Sequence, residues 1–134
     1  MTNSASPRIC IIDDDDAVRD SLRELLHSHG YEVGDFASAS DYLASNHAVD
    51  DDFDCAIVDL QMPGMTGLEL FEITRARTTP SLPFVMITGR ADSALKERAR
   101  RGGVIAMLDK LIGERALIDA ISKAHTARTA RGAS

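Results

Sequence analysis

The amino-acid sequence predicts a three-layer α/β sandwich: a five-stranded parallel sheet in the order 2-1-3-4-5, with five helices on its two faces. Five short strand-like segments, most of them apolar, alternate strictly with five segments of helical character along the chain. Most of these runs are rich in Val and Ile, as strands buried on both faces are. Right-handed crossovers between such strands give one parallel sheet covered by helices, and 2-1-3-4-5 is a common order for five strands. The 134 residues, 44% of them hydrophobic, suffice for one such domain.

The first strand and the first helix follow directly from the pattern of apolar residues. The run RICII, residues 8–12, is short and apolar, and it stops at Asp13. The next segment, DAVRDSLRELLHSHG at residues 16–30, has the amphipathic spacing of a helix. Its apolar stripe and its terminating glycine are Val18, Leu22, Leu25, Leu26 and Gly30.

The other elements continue the alternation. The second strand, YEVGDF, precedes a short helix, SASDYLAS, that either Ser38 or Ser40 opens. The third strand, CAIVD, follows the polar loop NHAVDDDFD, and the turn QMPGMTG leads into the helix LELFEITRAR. The strands PFVMIT and VIAML then alternate with the helices SALKERARRG and ERALIDAISKAHTAR. These elements span residues 31–36, 38–45, 55–59, 68–77, 83–88, 93–102, 104–108 and 114–128.

Charge is distributed unevenly along the chain, whose net charge is -6. Residues 1–60 carry 14 acids and 3 bases, whereas residues 61–134 carry 7 acids and 12 bases. The acidic half favours a divalent cation and the basic half favours an acidic partner, although any single charge is more simply part of a solvated face.

Composition also bounds the location and the domain organisation. Cys10 and Cys55 lack the spacing of a zinc or redox site and are interpreted as small buried hydrophobes. With no signal peptide and no membrane-spanning apolar run, the sequence predicts a cytoplasmic protein without a membrane partner. We expect a disordered lead at residues 1–7, one domain at 8–126, and a tail or the start of a linker at 127–134. The tail lacks a recognition motif, so no nucleic acid is expected to bind within this chain.

Polar side chains follow four of the predicted strands at the point where each strand ends. Asp13 and Asp14 follow the first strand, Asp59 ends the third, Thr88 closes the fourth, and Lys110 lies two residues beyond the fifth. In the order 2-1-3-4-5 these four strands are contiguous. Ligands of such sheets bind at the carboxyl ends of the strands, so the five side chains are expected to converge on one edge.

Each of these residue types suits phosphoryl transfer. Three clustered carboxylates repel one another unless a hard cation intervenes, and Mg²⁺ prefers oxygen ligands. Asp13 and Asp14 would be its main ligands, which leaves Asp59 as a carboxylate nucleophile able to form an acyl phosphate. Lys110 supplies a positive charge and Thr88 a hydroxyl donor for phosphoryl oxygens. Asp15 and Asp16, the rest of the acidic run, are expected to start or cap the first helix.

The motifs IIDDDDAV, AIVDLQMPGMTGLEL, VMITG and MLDK, in this order, resemble the receiver domain of two-component response regulators. The resemblance covers roughly residues 8–125 and implies the flavodoxin-like receiver fold. It also implies a role for each site residue: the phosphoacceptor Asp59, the Mg²⁺ ligands Asp13, Asp14, Asp59 and the backbone carbonyl of Gln61, and the phosphoryl-sensing Thr88 and Lys110.

The resemblance implies partner proteins and implies that the chain does not catalyse turnover of a separate substrate. The phosphoryl donor would be a histidine kinase or a histidine phosphotransfer protein, and the phosphorylated form would control a downstream protein or an output domain outside this chain. Many receivers pair on activation, so the resemblance also implies a homodimer on phosphorylation. The expected protein is therefore a switch rather than an enzyme, with only autocatalytic phosphoryl uptake and self-dephosphorylation.

Two departures from the family pattern keep a second interpretation open. Leu111 follows Lys110 where the family has a proline, so a trans peptide is expected there, because a cis bond to a non-proline residue costs about 2.5–4 kcal/mol. Met107 occupies the position of an aromatic switch residue, which a methionine does not reproduce. The alternative is a degenerate receiver that acts as a phosphorylation-independent protein-binding module.

A third interpretation is a hydrolase that uses Asp59 as its nucleophile. Aspartate-based phosphatases resemble this site but carry a second aspartate two residues after the nucleophile, as acid and base. Gln61 occupies that position here, which disfavours the hydrolase.

Overall fold

The strands lie in one parallel sheet in the order β2-β1-β3-β4-β5, which confirms the predicted architecture. The structure is a computed structural model, and it describes residues 7–45, 53–77, 82–89, 93–109 and 113–133. In chain order the elements are β1 Arg8–Ile12, α1 Asp16–Ser28, β2 Glu32–Phe36, α2 Ala39–Ala44, β3 Cys55–Asp59, α3 Gly67–Arg77, β4 Phe84–Thr88, α4 Ser93–Gly102, β5 Ala106–Asp109 and α5 Glu114–Ala133.

Strand β1 lies inside the sheet and fixes the register of two neighbours. Ile9 lies opposite Val33 of β2 on one side and opposite Cys55 of β3 on the other. Farther along, Asp59 at the end of β3 lies opposite Ile87 of β4. The carboxyl ends of β1, β3 and β4 therefore lie next to one another along a single edge.

The sheet separates two hydrophobic cores, because successive strand residues point to opposite faces. In β3, Ala56 and Val58 join the core formed with α2, α3 and α4. Cys55 and Ile57 join the core formed with α1 and α5. The two layers of helices thus pack against different side chains of the same strands.

Side-chain caps fix where three helices begin. The Asp15 carboxylate accepts hydrogen bonds from the Ala17 and Val18 backbone N–H groups at the start of α1, as the sequence predicts. At α2 it is Ser38, of the two candidate serines, whose side chain accepts the Asp41 N–H. At α3, Thr66 and Glu69 form a reciprocal capping box.

Most element boundaries lie within one or two residues of the predictions, and the differences at β5 and α5 have identifiable causes. Strand β5 begins at residue 106 rather than 104, because Gly103, with φ +102°, ends α4 and the next two residues lie in the connection. Helix α5 continues to residue 133 rather than ending at 128, since neither proline nor glycine interrupts the chain from Glu114 to Arg131. Among the described residues, no helix has the length and apolar character needed to span a membrane.

Both cysteines are buried with free thiols, which confirms their interpretation as packing residues. Cys10 points into the core of α2, α3 and α4, whereas Cys55 points into the core of α1 and α5. Burial raises the pKa of the Cys10 thiol well above its usual value, and nearby Cys55 and Asp35 raise it further. A thiol held in its neutral form is a poor nucleophile, so Cys10 serves the core.

Candidate functional site

Three carboxylates from two strand ends meet at the carboxyl edge of the sheet. One oxygen of each of Asp13, Asp14 and Asp59 lies within 4.8 Å of the other two. Asp13 and Asp59 are buried, and Asp14 is exposed. The cluster is therefore closed on the side of the core and open to solvent at Asp14.

Hydrogen bonds hold the corner between β1 and α1. The Asp13 N–H donates to the Phe36 carbonyl at 3.2 Å, and Asp13 Oδ1 accepts the Asp15 N–H at 2.9 Å. The run of four aspartates thus divides as predicted: the first two belong to the acidic cluster, Asp15 caps α1, and Asp16 lies exposed in its first turn.

Asp59 is held by the loop that follows it. Its side chain is 3% exposed, and its Oδ1 accepts the Gln61 N–H at 3.1 Å. The next residue, Leu60, donates its N–H to the Ile87 carbonyl at 2.8 Å and accepts the Gly67 N–H at 2.9 Å. The end of β3 is thereby tied both to β4 and to the first residue of α3.

Gly67 is a site residue that the sequence analysis did not single out. A Cβ atom there would lie 2.5 Å from the Asp59 carbonyl oxygen and 3.0 Å from the Leu60 Cα atom. Only a glycine lets α3 begin this close to the strand that carries Asp59. A signal was present in the sequence, because a glycine directly before the helical segment LELFEITRAR allows the backbone to approach a neighbouring element closely.

Thr88 also lies at this edge, whereas Lys110 is outside the described residues. Thr88 is the last residue of β4, is 2% exposed, and follows Ile87, the neighbour of Asp59 across the sheet. In the next strand Thr88 lies opposite Asp109, the last residue of β5. The predicted roles of Thr88 and Lys110 stay predictions, as does the metal contact of the Gln61 carbonyl.

Met107 packs into the core instead of facing the solvent. It is half-buried in β5, opposite Met86 of β4, and it contacts the core of α2, α3 and α4 together with Met65 and Leu95. A flexible apolar side chain therefore occupies the position where the family has an aromatic residue. Leu111, the other departure, lies outside the described residues.

The sheet order and the clustered carboxylates at its carboxyl edge are those expected of a receiver domain, which is a phosphoryl-accepting regulatory domain. The chain belongs to the response regulator receiver domain family, whose family model matches residues 9–122. This finding confirms the resemblance noted in the sequence and places the protein in two-component signalling.

The chain is similar to one part of longer regulators. It is 38% identical over 111 residues to the transcriptional regulatory protein FixJ of Azorhizobium caulinodans, covering 83% of this chain and 51% of FixJ. It is 34% identical over 113 residues to nodulation protein W of Bradyrhizobium diazoefficiens, covering 84% of this chain and 48% of that protein. The chain thus spans about half the length of these relatives.

Solved structures agree with the fold. Full-length FixJ from B. japonicum superimposes with a TM-score of 0.83 at 33% identity, covering 93% of this chain and 60% of FixJ. A CheY-like receiver domain from Methanospirillum hungatei superimposes with a TM-score of 0.82 at 31% identity, covering 92% of this chain and 97% of that one. The second comparison shows that one receiver domain accounts for nearly the whole chain.

The acidic cluster has the donor set that a hard divalent cation requires. Three carboxylates within 4.8 Å of one another repel strongly in the absence of a counter-charge. Mg²⁺ takes oxygen ligands and is held by one or two carboxylates while keeping several waters. The exposed position of Asp14 leaves room for such waters. The cluster therefore fits the Mg²⁺ that receiver domains generally use.

Proposed function

We propose that this receiver domain accepts a phosphoryl group on Asp59 from a histidine kinase or a histidine phosphotransfer protein, in a Mg²⁺-dependent reaction. The phosphorylated form changes conformation and controls a downstream protein, an output domain or a second copy of the chain. The observation that supports this function most directly is the buried Asp59 carboxylate, which lies within 4.8 Å of two further acids in a chain of the receiver family.

Asp59 acts as the nucleophile. One carboxylate oxygen forms a bond to phosphorus while the bond between phosphorus and the donor histidine nitrogen breaks. The imidazole nitrogen leaves with the bonding electron pair and takes up a proton from water. The hydrogen bond from the Gln61 N–H to Asp59 Oδ1, 3.1 Å long, orients the carboxylate for this attack.

The other site residues bind the ion and the transferred group. Asp13, Asp14, Asp59 and the Gln61 carbonyl would hold Mg²⁺, which when bound offsets the negative charge of the carboxylates and of the phosphoryl oxygens. The Thr88 hydroxyl and the Lys110 ammonium donate hydrogen bonds to phosphoryl oxygens. Water later attacks phosphorus, the bond between phosphorus and the Asp59 oxygen breaks, and phosphate leaves with Asp59 restored as a carboxylate. The protein thus returns to its unphosphorylated form, as a switch requires. A cytoplasmic location suits a kinase donor.

Intact-mass measurement tests this function. Incubation with acetyl phosphate and Mg²⁺ is expected to add one phosphoryl group to the protein, and incubation with a chelator is expected to add none. Protein without an adduct, from acetyl phosphate and from a histidine kinase alike, would contradict the proposal. Such a result would favour the phosphorylation-independent binding module, to which the core packing of Met107 lends support. Rapid, continuing release of phosphate would instead indicate a hydrolase.

The division of the aspartate run supplies a matched pair of variants. Asp14→Asn is expected to weaken Mg²⁺ binding by at least the factor of about 10–100 that loss of a group behind a metal ligand costs, because it removes one carboxylate of the cluster itself. Asp15→Asn removes the same formal charge one residue away and is expected to keep the parental affinity, since asparagine caps helices as well as aspartate does. Calorimetric titration with Mg²⁺ measures both. Equal losses in the two variants would mean that Asp14 acts only through general charge.

A further inference from the structure

Arg19 lies directly behind the acidic cluster and binds the backbone of one of its members. The Arg19 side chain is only 14% exposed. Its Nη1 donates to the backbone carbonyl oxygen of Asp13 at 2.6 Å. Its Nη2 pairs with the Asp16 carboxylate, and its Nε lies 3.5 Å from Asp35 Oδ2. One guanidinium thus contacts three segments of the chain: the corner after β1, the first turn of α1, and β2.

These contacts hold the backbone of Asp13 at both its N–H and its carbonyl. Asp35 belongs to β2, where it lies opposite Ile11 of β1, so it is fixed by the sheet. The Asp13 N–H already donates to the carbonyl of the residue that follows Asp35. Because Arg19 binds the Asp13 carbonyl, rotation of the peptide that joins the two acids breaks a charge-assisted hydrogen bond. A lysine would not reproduce this arrangement, because it lacks the planar fork of donors.

Arg23, one helical turn later, offers a natural comparison. It pairs with Asp20 and with the same Asp35 carboxylate, and its side chain is 35% exposed. Within the described ranges it has no hydrogen bond to Asp13. Arg23 therefore shares the ion pairing between α1 and β2 with Arg19 but lacks the contact with the acidic cluster.

We propose that Arg19 is a positioning residue that aligns Asp13 and Asp14 for Mg²⁺ before the ion arrives. Groups that orient metal ligands from behind contribute to affinity, because the ligands need not be ordered during binding. The positive charge of Arg19 opposes a cation, but Asp16 and Asp35 already pair with that charge. The alignment of the ligands therefore outweighs the repulsion. The inference rests on the proposed Mg²⁺ site.

Three variants test this role: Arg19→Gln, Arg19→Lys and the control Arg23→Gln. Calorimetric titration with Mg²⁺ is expected to show about tenfold weaker binding for Arg19→Gln and parental binding for Arg23→Gln. The Mg²⁺ affinity of Arg19→Lys is expected to lie between those of Arg19→Gln and the parent, because an ammonium keeps the positive charge but lacks the planar set of donors that contacts all three partners. In thermal unfolding without Mg²⁺, the midpoint temperature Tm is expected to fall by a similar amount in both glutamine variants, since each loses its ion pair to Asp35.

A second readout is independent of the metal. Amide hydrogen exchange by NMR in Mg²⁺-free buffer reports on the Asp15 N–H, which donates to Asp13 Oδ1. Its exchange is expected to be faster in Arg19→Gln than in Arg23→Gln. If the parent protein binds no Mg²⁺, the proposed site is wrong, yet this exchange still reports whether Arg19 orders the corner. Parental or tighter Mg²⁺ binding by Arg19→Gln, or an equal loss in Arg23→Gln, would overturn the role.

Discussion

The Asp59→Asn variant is expected to remain unmodified when it is incubated with acetyl phosphate and Mg²⁺ under conditions that label the parent fully. Asparagine has nearly the same shape as aspartate, and its side-chain oxygen still accepts the Gln61 N–H, so the fold is expected to be retained. The amide oxygen carries no negative charge and does not form a stable bond to phosphorus. The expected effect is therefore complete loss of the phosphoryl adduct in the intact-mass spectrum.

Asp109→Asn provides the control for this experiment. Asp109 ends β5 opposite Thr88, and its carboxylate is exposed at the same edge of the sheet. Its replacement is expected to leave the adduct in place, because an exposed carboxylate outside the cluster lacks the two neighbouring acids. An Asp59→Asn protein labelled as fast as the parent would refute the assignment of the phosphoacceptor.

The Gly67→Ala variant is expected to lose both stability and phosphorylation rate. The added methyl group would lie 2.5 Å from the Asp59 carbonyl oxygen, so either α3 or the end of β3 must move. Forcing an extra methyl group into a well-packed region costs about 1–3 kcal/mol of unfolding free energy. Movement of the Asp59 backbone also misaligns its carboxylate. Urea unfolding followed by circular dichroism measures the first effect, and the rate of adduct formation measures the second.

Gly102→Ala separates this clash from the general effect of replacing a helical glycine. A Cβ atom at Gly102, the last residue of α4, would meet only side chains of Phe71 and Leu68, at 3.4 Å or more. Alanine is the better helix former, so this variant is expected to be as stable as the parent or slightly more stable. A Gly67→Ala protein with parental stability would contradict this prediction, because it would show that the start of α3 or the end of β3 shifts without cost.

The fold was predictable because its determinants are local. Every strand except β2 is a short, mainly apolar run, and helices have recognisable beginnings, such as Asp15 before α1. The end of α5 was not predictable, since nothing in the pattern of residues 114–128 distinguishes the end of the apolar stripe from the end of the helix. The choice between Ser38 and Ser40 was also open, because both are good caps and only the backbone conformation distinguishes them.

The site was predictable only in part, because some of its residues act through distant contacts. The sequence of the turn that contains Pro63 and Gly64 predicts a glycine with positive φ, and Gly64 adopts φ +82°. Gly67 is required for a different reason, its approach to the backbone of Asp59, and that contact exists only after β3 and α3 have packed. Arg19 resembles any other helix-surface base in the sequence, and only the structure brings it to the Asp13 carbonyl.

The strand order has a consequence for how the chain is assembled during synthesis. Once β1 and β2 have paired, β3 joins the free edge of β1, β4 joins the edge of β3, and β5 joins the edge of β4. Each strand that emerges from the ribosome thus finds an open edge left by strands already made, and none needs to insert between two paired neighbours. The sheet can grow outward from β1 in the order in which its codons are translated.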